Sequence, residues 1–369
     1  MRIAMVAPLV SPIAEPNVGG SQALLADLAA GLAGRGHDVA VYAASGSRIE
    51  GVEVVDTGVD PASLAATLFR ADGGAATAVP GTSGATAARD AFDRAVALVA
   101  GHGADVVHVH AFDAPAVDAA ATLPFPVAHV LHLPPTADVA AAVRRAVRGL
   151  RPLTAVTVSR WMEAAWRAEG VPSTVIRNGV PVGRIPWRVD GGEEVLFAGR
   201  LSPEKGAVEA LEIAARAGTP IRVVGAPYDP RYAGVVGAWR GRPGVTVEGP
   251  VPRRRLWALM SNARAVLCPA RWDEPFGLVA AESQAAGTPV IGFRRGALEE
   301  VVADGITGSL VADGDLDAAA RAVADADRFD RTSCRRHAEQ TLDLERTLDG
   351  YEGLSVRLAE TARGVGTGR

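Results

Sequence analysis

Residues 271–282 read Arg271-Trp272-Asp273-Glu274-Pro275-Phe276-Gly277-Leu278-Val279-Ala280-Ala281-Glu282 and form the most informative segment of the sequence. It follows an apolar run that ends at Cys268-Pro269, and it opens an alanine-rich segment that predicts a helix. Pro275 suits the start of a helix, and Gly277 permits a close approach of the backbone. Free N–H groups at Gly277 and Leu278, at the positive end of the helix dipole, would form a site for an anion.

Two carboxylates flank this predicted anion site. Glu282 lies about one turn inside the helix, and Glu274 lies in the loop before it. Either glutamate alone is more often a solvated charge near a helix N-terminus. As a pair around one anion site, they are placed to contact different parts of a single ligand.

A second cluster of charge surrounds the one lysine of the chain. Of 38 basic residues only Lys205 is a lysine, and it lies in Phe197-Ala198-Gly199-Arg200-Leu201-Ser202-Pro203-Glu204-Lys205-Gly206. Arg is a planar fork and Lys a compact point charge, so the two are not interchangeable. Arg200 and Lys205 follow a predicted strand, and open α/β sheets bind ligands at the carboxyl ends of their strands. Two cations and a helix N-terminus therefore converge on a group with the charge of a diphosphate.

Short apolar runs alternate with longer Ala/Leu-rich segments along the chain, which is typical of βα units and a mostly parallel sheet. The pattern predicts an α/β fold with two Rossmann-like domains, 1–183 and 184–345, joined within residues 183–194. A C-terminal helix, about 346–369, is predicted to pack back on the first domain. Residues 44–90 show weak periodicity and receive no assignment. The predicted strands are Arg2–Ala7, Val39–Tyr42, 105–110, Val127–Leu131, Ala155–Val158, Val195–Phe197, Ile221–Val224, Val245–Val247, Ala265–Leu267 and Pro289–Ile291.

Composition limits the class of protein. A length of 369 residues favours two domains, and a net charge of -4 argues against a nucleic-acid binder. Cys268 and Cys334 are interpreted as reduced thiols of a cytoplasmic protein. No stretch approaches the ~20 apolar residues of an integral membrane segment. Peripheral membrane contact through Arg144, Arg145, Arg148 and Arg151 stays open, although a solvated helix face is favoured.

Further motifs make the chain resemble the retaining glycosyltransferases of family 4, of actinobacterial type, over residues 1 to about 310. That family has the GT-B fold, in which two Rossmann-like domains face each other across a cleft. Besides the segments around Arg200, Lys205, Glu274 and Glu282, the matching pieces are Gly19-Gly20, Gly36-His37-Asp38-Val39, Asp105-Val106-Val107-His108-Val109-His110, His132, Ile176-Arg177-Asn178-Gly179-Val180, Gly249-Pro250-Val251, Gly296…Glu300-Val301 and Asp304-Gly305-Ile306-Thr307-Gly308.

The resemblance implies transfer of a sugar from a UDP- or GDP-sugar, held by the second domain, to an acceptor held by the first, a small molecule or natural product. Catalytic roles are implied for His132, Arg200, Lys205 and Glu274. Donor binding is implied for Gly19, Gly20, Gly199, Arg200, Lys205, Val251, Glu274, Phe276, Gly277, Leu278 and Glu282. No cofactor and no metal are expected, because the paired cations take the place of a divalent ion. Asp313-Gly314-Asp315 and Asp325-Ala326-Asp327 are interpreted as solvated charge.

On the acceptor side, the candidates are His108, His110 and Asp113. The two histidines alternate with valine on one strand and share one face, so pocket lining and packing within the sheet both remain open. An epimerase of nucleotide sugars on the same fold would use these three residues as acid and base. A catalytically silent binding homologue is a second alternative, which the four intact residues Arg200, Lys205, Glu274 and Glu282 disfavour.

Overall fold

A computed structural model describes residues 1–17, 19–67, 69–70, 76–77, 82–149 and 152–366. Parts of the unassigned region 44–90, Arg151 and the last three residues of the predicted C-terminal helix lie outside the described residues. Two parallel sheets with flanking helices make up the chain, so the predicted α/β fold class is confirmed.

The first half of the chain forms a seven-stranded sheet with the order β3-β2-β1-β6-β7-β8-β9. Its central strands are buried on both faces, which explains their nearly continuous apolar sequence. The strands are β1 Arg2–Val6, β2 Asp38–Ala43, β3 Glu53–Asp56, β4 Phe69–Arg70, β5 Ala76–Thr77, β6 Val106–Val109, β7 Val127–Leu131, β8 Thr154–Thr157 and β9 Thr174–Val175, of which β4 and β5 pair apart from the sheet. The helices are α1 Gly20–Gly34, α2 Pro61–Thr67, α3 Ser83–His102, α4 Ala114–Ala120, α5 Ala137–Val147 and α6 Arg160–Ala168.

The second half forms a six-stranded parallel sheet with the order β12-β11-β10-β13-β14-β15. Its strands are β10 Val195–Ala198, β11 Ile221–Val224, β12 Val245–Glu248, β13 Val266–Cys268, β14 Val290–Phe293 and β15 Gly308–Val311. The helices that follow the first half are α7 Ala207–Ala217, α8 Pro230–Gly237, α9 Arg253–Asn262, α10 Leu278–Ala285, α11 Leu298–Val301, α12 Leu316–Ala324, α13 Arg331–Thr341 and α14 Leu344–Gly366. Short 3-10 helices span Val182–Arg184, Pro203–Lys205 and Ala326–Arg328.

Each sheet has a point where the strand order reverses. In the second sheet β10 lies between β11 and β13, and in the first sheet β1 lies between β2 and β6. Loops that leave neighbouring strands at such a point diverge and leave a crevice at the carboxyl edge of the sheet. The loops after β10 and β13, which carry the predicted anion-binding residues, therefore meet at one crevice.

The C-terminal helix α14 returns to the first half of the chain. The crossing is held where the Val180 N–H donates to the Leu342 carbonyl over 2.8 Å and the Leu344 N–H donates to the Val180 carbonyl over 2.9 Å. The helix then packs on α1, where a Cβ on Gly31 would lie 2.6 Å from a methyl carbon of Leu348. Arg35 pairs with Glu345, Asp349 and Glu352 along the same contact. Among the described residues, none of the helices has the length and apolar character needed to span a membrane.

Candidate active site

A cleft of about 550 Å³ separates the two sheets and is lined by both halves of the chain. Its volume suits a small ligand. All of the predicted donor-binding residues lie on its wall: Gly19, Gly20, Gly199, Arg200, Lys205, Val251, Glu274, Phe276, Gly277, Leu278 and Glu282. The structure thus brings together residues from several separate loops and helix ends.

Lys205 lies at the end of the 3-10 turn after β10 and reaches the loop after β13. Gly206 makes this contact possible, since a Cβ there would overlap the Pro269 carbonyl oxygen, and its φ of 75° is in the left-handed region. The Lys205 ammonium forms an ion pair with the Glu274 carboxylate and lies 4.4 Å from the centre of the Trp272 ring. Because an ammonium has three donors, this pairing leaves Lys205 able to bind a second anion.

Arg200 is held beside Lys205 by contacts of its own. Its guanidinium lies 4.4 Å from the ring centre of Tyr228 and 3.3 Å from the Glu204 carboxylate. The Ser202 hydroxyl donates to the same carboxylate oxygen of Glu204 over 2.6 Å. The Tyr228 ring holds one face of the Arg200 guanidinium, and Glu204 holds one edge. The remaining N–H groups of the guanidinium stay available to bind an anion.

The N-terminus of α10 opens directly into the cleft. Gly277 precedes the helix with a φ of 95° and, as a glycine, supplies no side-chain cap to the first turn. Opposite it, a Cβ on Gly20 of the first half would lie 2.8 Å from a methyl carbon of Leu278. The two halves are therefore closed on each other here, and both glycine positions depend on the missing side chain.

The loop that contains Gly296 and Ala297 packs against the backbone of Glu274. Sequence reasoning did not place this loop in the site. The Ala297 N–H donates to the Glu274 carbonyl over 2.8 Å. A Cβ on the neighbouring Gly296 would overlap the Glu274 backbone, and Gly296 has a φ of 58°. Gly296, the first residue of the Gly296…Glu300 motif, is the one sequence feature from which this close contact could have been inferred.

Glu282 is 5% exposed and lies on the wall of the cleft. One of its oxygens accepts from Arg253 Nε over 2.7 Å and from Trp257 Nε1 over 3.0 Å. Arg253 also pairs with Asp27 of α1 and so bridges the two halves. Burial raises the pKa of the Asp27 carboxyl, and the charge of Arg253 opposes that rise. Sequence reasoning missed Asp27, because a single acid on an amphipathic helix gives no sign of a distant partner.

Four buried histidines lie on β6 and β7 or directly after them: His108, His110, His129 and His132. Of these, His132 lines the cleft. His132 Nε2 lies 3.0 Å from His110 Nδ1, with the two rings stacked. Burial lowers the pKa of His132 to about 3 and that of both His108 and His129 to about 4. Burial also holds the pKa of His110 well below its usual value. These imidazoles are therefore neutral near pH 7.

The other acceptor-side candidates lie behind the wall. His108 and His110 are fully buried, and His108 Nε2 lies 2.9 Å from the Ser355 hydroxyl of α14. Asp113 is buried at the start of α4. None of the three is among the described residues that line the cleft. The prediction that they contact an acceptor is not supported by this placement, because α14 covers the face of β6 that carries the two histidines.

The two Asp-x-Asp sequences lie in ion pairs away from the cleft. Asp313 lies 3.1 Å from Arg295 and Asp327 lies 2.8 Å from Arg264. Within the part of the chain that the structure describes, no three His, Cys, Asp or Glu side chains are grouped so as to hold a metal ion.

Two facing Rossmann-like halves, closed over a cleft with cations and a helix N-terminus on one side, define the GT-B class of fold. The family description "Glycosyltransferase Family 4" matches residues 18–184, and "Glycosyl transferases group 1" matches residues 186–339. The chain belongs to glycosyltransferase family 4.

Similar proteins include a glycogen synthase of Mycobacterium tuberculosis, which is 36% identical over 171 residues, 41% of this chain and 40% of the relative. A D-inositol 3-phosphate glycosyltransferase of Mycolicibacterium paratuberculosis is 40% identical over 139 residues, 35% of this chain and 31% of the relative. The chain thus spans two fifths or less of the length of these relatives.

Solved structures extend the likeness in fold to the whole chain. AviGT4, a glycosyltransferase involved in avilamycin A biosynthesis, has a TM-score of 0.70 at 24% identity, with 98% of both chains covered. Anabaena Alr3699/HepE in complex with UDP-glucose has a TM-score of 0.73 at 18% identity, covering 96% of this chain and 99% of that one. The GT-B fold predicted from the sequence is confirmed.

Proposed function

We propose that this chain transfers a sugar from a nucleoside diphosphate sugar to a hydroxyl of a small-molecule acceptor, with retention of the anomeric configuration and without a metal ion. One observation carries the proposal. Arg200, Lys205 and the uncapped N-terminus of α10 converge at the carboxyl ends of β10 and β13, with Glu274 and Glu282 on either side. A diphosphate fits this convergence of positive charge, and the relative in complex with UDP-glucose supports a sugar nucleotide as donor.

The donor would lie along the loop before α10. Glu282, inside that helix, would accept hydrogen bonds from the ribose hydroxyls in place of its present bond from Arg253. Glu274, at the start of the loop, would accept from hydroxyls of the transferred sugar while keeping Lys205 beside the diphosphate. The Gly277 and Leu278 amides would meet the donor through the main chain.

Catalysis would rest on charge stabilisation. The bond between the anomeric carbon and the diphosphate oxygen breaks, and negative charge grows on that oxygen beside Arg200 and Lys205. Preorganised donors of this kind usually contribute more to catalysis than any other single effect, and removing one costs ~3 kcal/mol, or ~100-fold in rate.

The acceptor oxygen would form the new bond on the face from which the diphosphate departs, and its proton would pass to the departing oxygen. A double displacement would instead need an enzyme carboxylate on the acceptor side. Of the described residues that the first half contributes to the cleft, none is Asp or Glu. This favours the same-face route, with neutral His132 as a hydrogen-bonding group.

A thermal-shift panel of UDP, GDP, ADP and dTDP, each with its sugars, tests the donor assignment. We expect one nucleoside diphosphate and its sugar to raise Tm, and Arg200→Ala to abolish the shift. A panel in which no nucleotide raises Tm would contradict the proposal.

Incubation of the protein with the bound donor and no acceptor separates transfer from the epimerase alternative. We expect no new sugar nucleotide under these conditions. The appearance of an epimeric sugar nucleotide would establish the alternative.

A further inference from the structure

The first-half side of the cleft carries no formal charge among its described residues. The polar residues there are Ser11, Asn17, Ser21, Gln22, His132 and Asn178, and none is Arg, Lys, Asp or Glu. Apolar surface from Val10, Phe112, Leu133 and Val158 makes up much of the rest. Phosphate groups are bound in proteins chiefly by Arg, Lys and backbone N–H groups, so this side of the cleft lacks the cations that a phosphorylated ligand needs.

Cations do line the cleft, but on the opposite side and already paired. Lys205 pairs with Glu274, Arg200 pairs with Glu204, and Arg253 bridges Asp27 and Glu282. Of these cations, Arg200 and Lys205 are the ones that the donor diphosphate would engage. A phosphate on the acceptor would then lie near a second polyanion with no charge of its own to balance it.

Two buried amide oxygens of the first half have no hydrogen-bond partner within the described ranges of the chain. Asn178 is 6% exposed and lies on the cleft wall, and its Oδ1 has no hydrogen-bond partner among the described residues. Asn17 Oδ1 on the same wall is also unpartnered within the part of the chain that the structure describes. A buried oxygen without a donor is costly, and a hydroxyl is the group that supplies one. Phosphate monoester oxygens are acceptors at neutral pH and cannot.

We propose that the acceptor is an uncharged, hydroxyl-bearing molecule such as a sugar or glycoside, rather than a phosphorylated one. This inference rests on the proposed function. One of its hydroxyls donates to Asn178 Oδ1, and its apolar face packs on Phe112 and Leu133. The neutral imidazole of His132 lies on the same wall and adds no charge.

Transfer of labelled sugar tests the acceptor class before the acceptor itself has been identified. The protein is incubated with ¹⁴C-labelled donor and a small-molecule extract divided on an anion-exchange resin into neutral and anionic fractions. Matched pairs, glucose with glucose 6-phosphate and myo-inositol with its 3-phosphate, are run beside them. We expect label in the neutral fraction, and at least a tenfold higher kcat/KM for the neutral member of any pair that reacts. Label in the anionic fraction, in neither fraction, or preferentially on a phosphorylated member would overturn the proposal.

Calorimetric titration of the donor into the same preparation keeps the two proposals apart. Normal donor binding with label in the anionic fraction contradicts the acceptor class alone. A failure to bind any sugar nucleotide contradicts the proposed function itself.

Asn178 is tested by substitution with the acceptor found in these assays. We expect Asn178→Ala to raise the acceptor KM at least tenfold and to leave donor Kd unchanged, while Asn178→Asp, which keeps an accepting oxygen, retains most of the affinity for a neutral acceptor. Asn262→Ala is the matched control, because Asn262 is exposed on α9 and does not line the cleft. An unchanged acceptor KM in folded Asn178→Ala would contradict the role of this residue.

Discussion

The buried histidines should make the free energy of unfolding strongly dependent on pH between 7.0 and 5.5. His108, His110, His129 and His132 are buried, and burial lowers the pKa of each. In the unfolded chain each histidine has a pKa of about 6.5. A group with a lowered folded pKa contributes stability that is fully present above the unfolded pKa and is lost as pH falls through it. Stability should therefore fall below pH 6.5.

The size of the effect follows from proton uptake by the unfolded chain. Lowering the pH from 7.0 to 5.5 favours the unfolded state by about 1.2 kcal/mol for each histidine that stays neutral in the folded state, or about 5 kcal/mol for four. That sum is comparable with the whole stability of many domains, about 5–15 kcal/mol. Ordinary carboxylates titrate lower, at about 4, so they contribute little in this window.

Urea unfolding at pH 7.0, 6.5, 6.0 and 5.5 measures the effect, with His129→Leu as the comparison. The substitution removes one titrating group at a position outside the proposed catalytic set, so the part of the pH dependence that comes from these four histidines should fall by about a quarter. Stability that does not change between pH 7.0 and 5.5, or an equal slope in both proteins, would refute the argument from burial.

Three further predictions concern the cleft. Arg200→Ala and Lys205→Ala should each lower kcat ~100-fold through lost charge stabilisation, whereas Arg216→Ala, on the exposed face of α7, should leave kcat unchanged. Wild-type rates in a folded Arg200→Ala or Lys205→Ala protein would contradict the roles assigned to these cations. Activity should survive EDTA, because paired cations occupy the place of a metal, and a loss that Mn²⁺ or Mg²⁺ restores would show otherwise. Gly20→Ala should weaken donor binding in calorimetry, because its Cβ would lie 2.8 Å from Leu278. Gly34→Ala on the same helix is the control, since a Cβ there meets nothing within 4 Å. Equal donor affinities in the two variants would show that the cleft does not close as described.

Much of the sheet architecture could be predicted from the sequence because its central strands are apolar on both faces. The predicted bounds of Val127–Leu131 and Ile221–Val224 agree with the structure, and the others differ by a few residues at most. Helix α3 escaped prediction because its buried face consists mainly of alanine, such as Ala88, Ala91 and Ala95. An alanine stripe contrasts little with the alanines on the exposed face, so the amphipathic signal is weak. Strand β15 escaped prediction because it begins Gly308-Ser309, which leaves only Leu310 and Val311 as an apolar signal.

The candidate site was predictable where residues adjacent in sequence act together, as at Glu274 and Gly277 before α10. Contacts between segments far apart in sequence could not be predicted. Lys205 and Glu274 are 69 positions apart within the second half, and the Arg253–Asp27 contact, which joins the two halves, spans 226 positions. The direction in which His108 points was also open, because it depends on where α14 packs after the chain returns from the second half.

In the proposed complex, the loop and first turn of α10 hold the donor, with the ribose at Glu282 and the transferred sugar at Glu274. Calorimetric titration of UDP or GDP into Glu282→Ala and Glu274→Ala distinguishes these two contacts. Glu282→Ala should weaken binding of the bare nucleoside diphosphate by ~1–3 kcal/mol, the worth of a charge-assisted hydrogen bond. Glu274→Ala should bind it nearly as tightly as the wild type, because the Trp272 ring still holds Lys205 beside the diphosphate and the remaining contacts of Glu274 form with the sugar. Transfer should fall ~100-fold. Loss of nucleotide affinity in Glu274→Ala, with none in Glu282→Ala, would contradict the account.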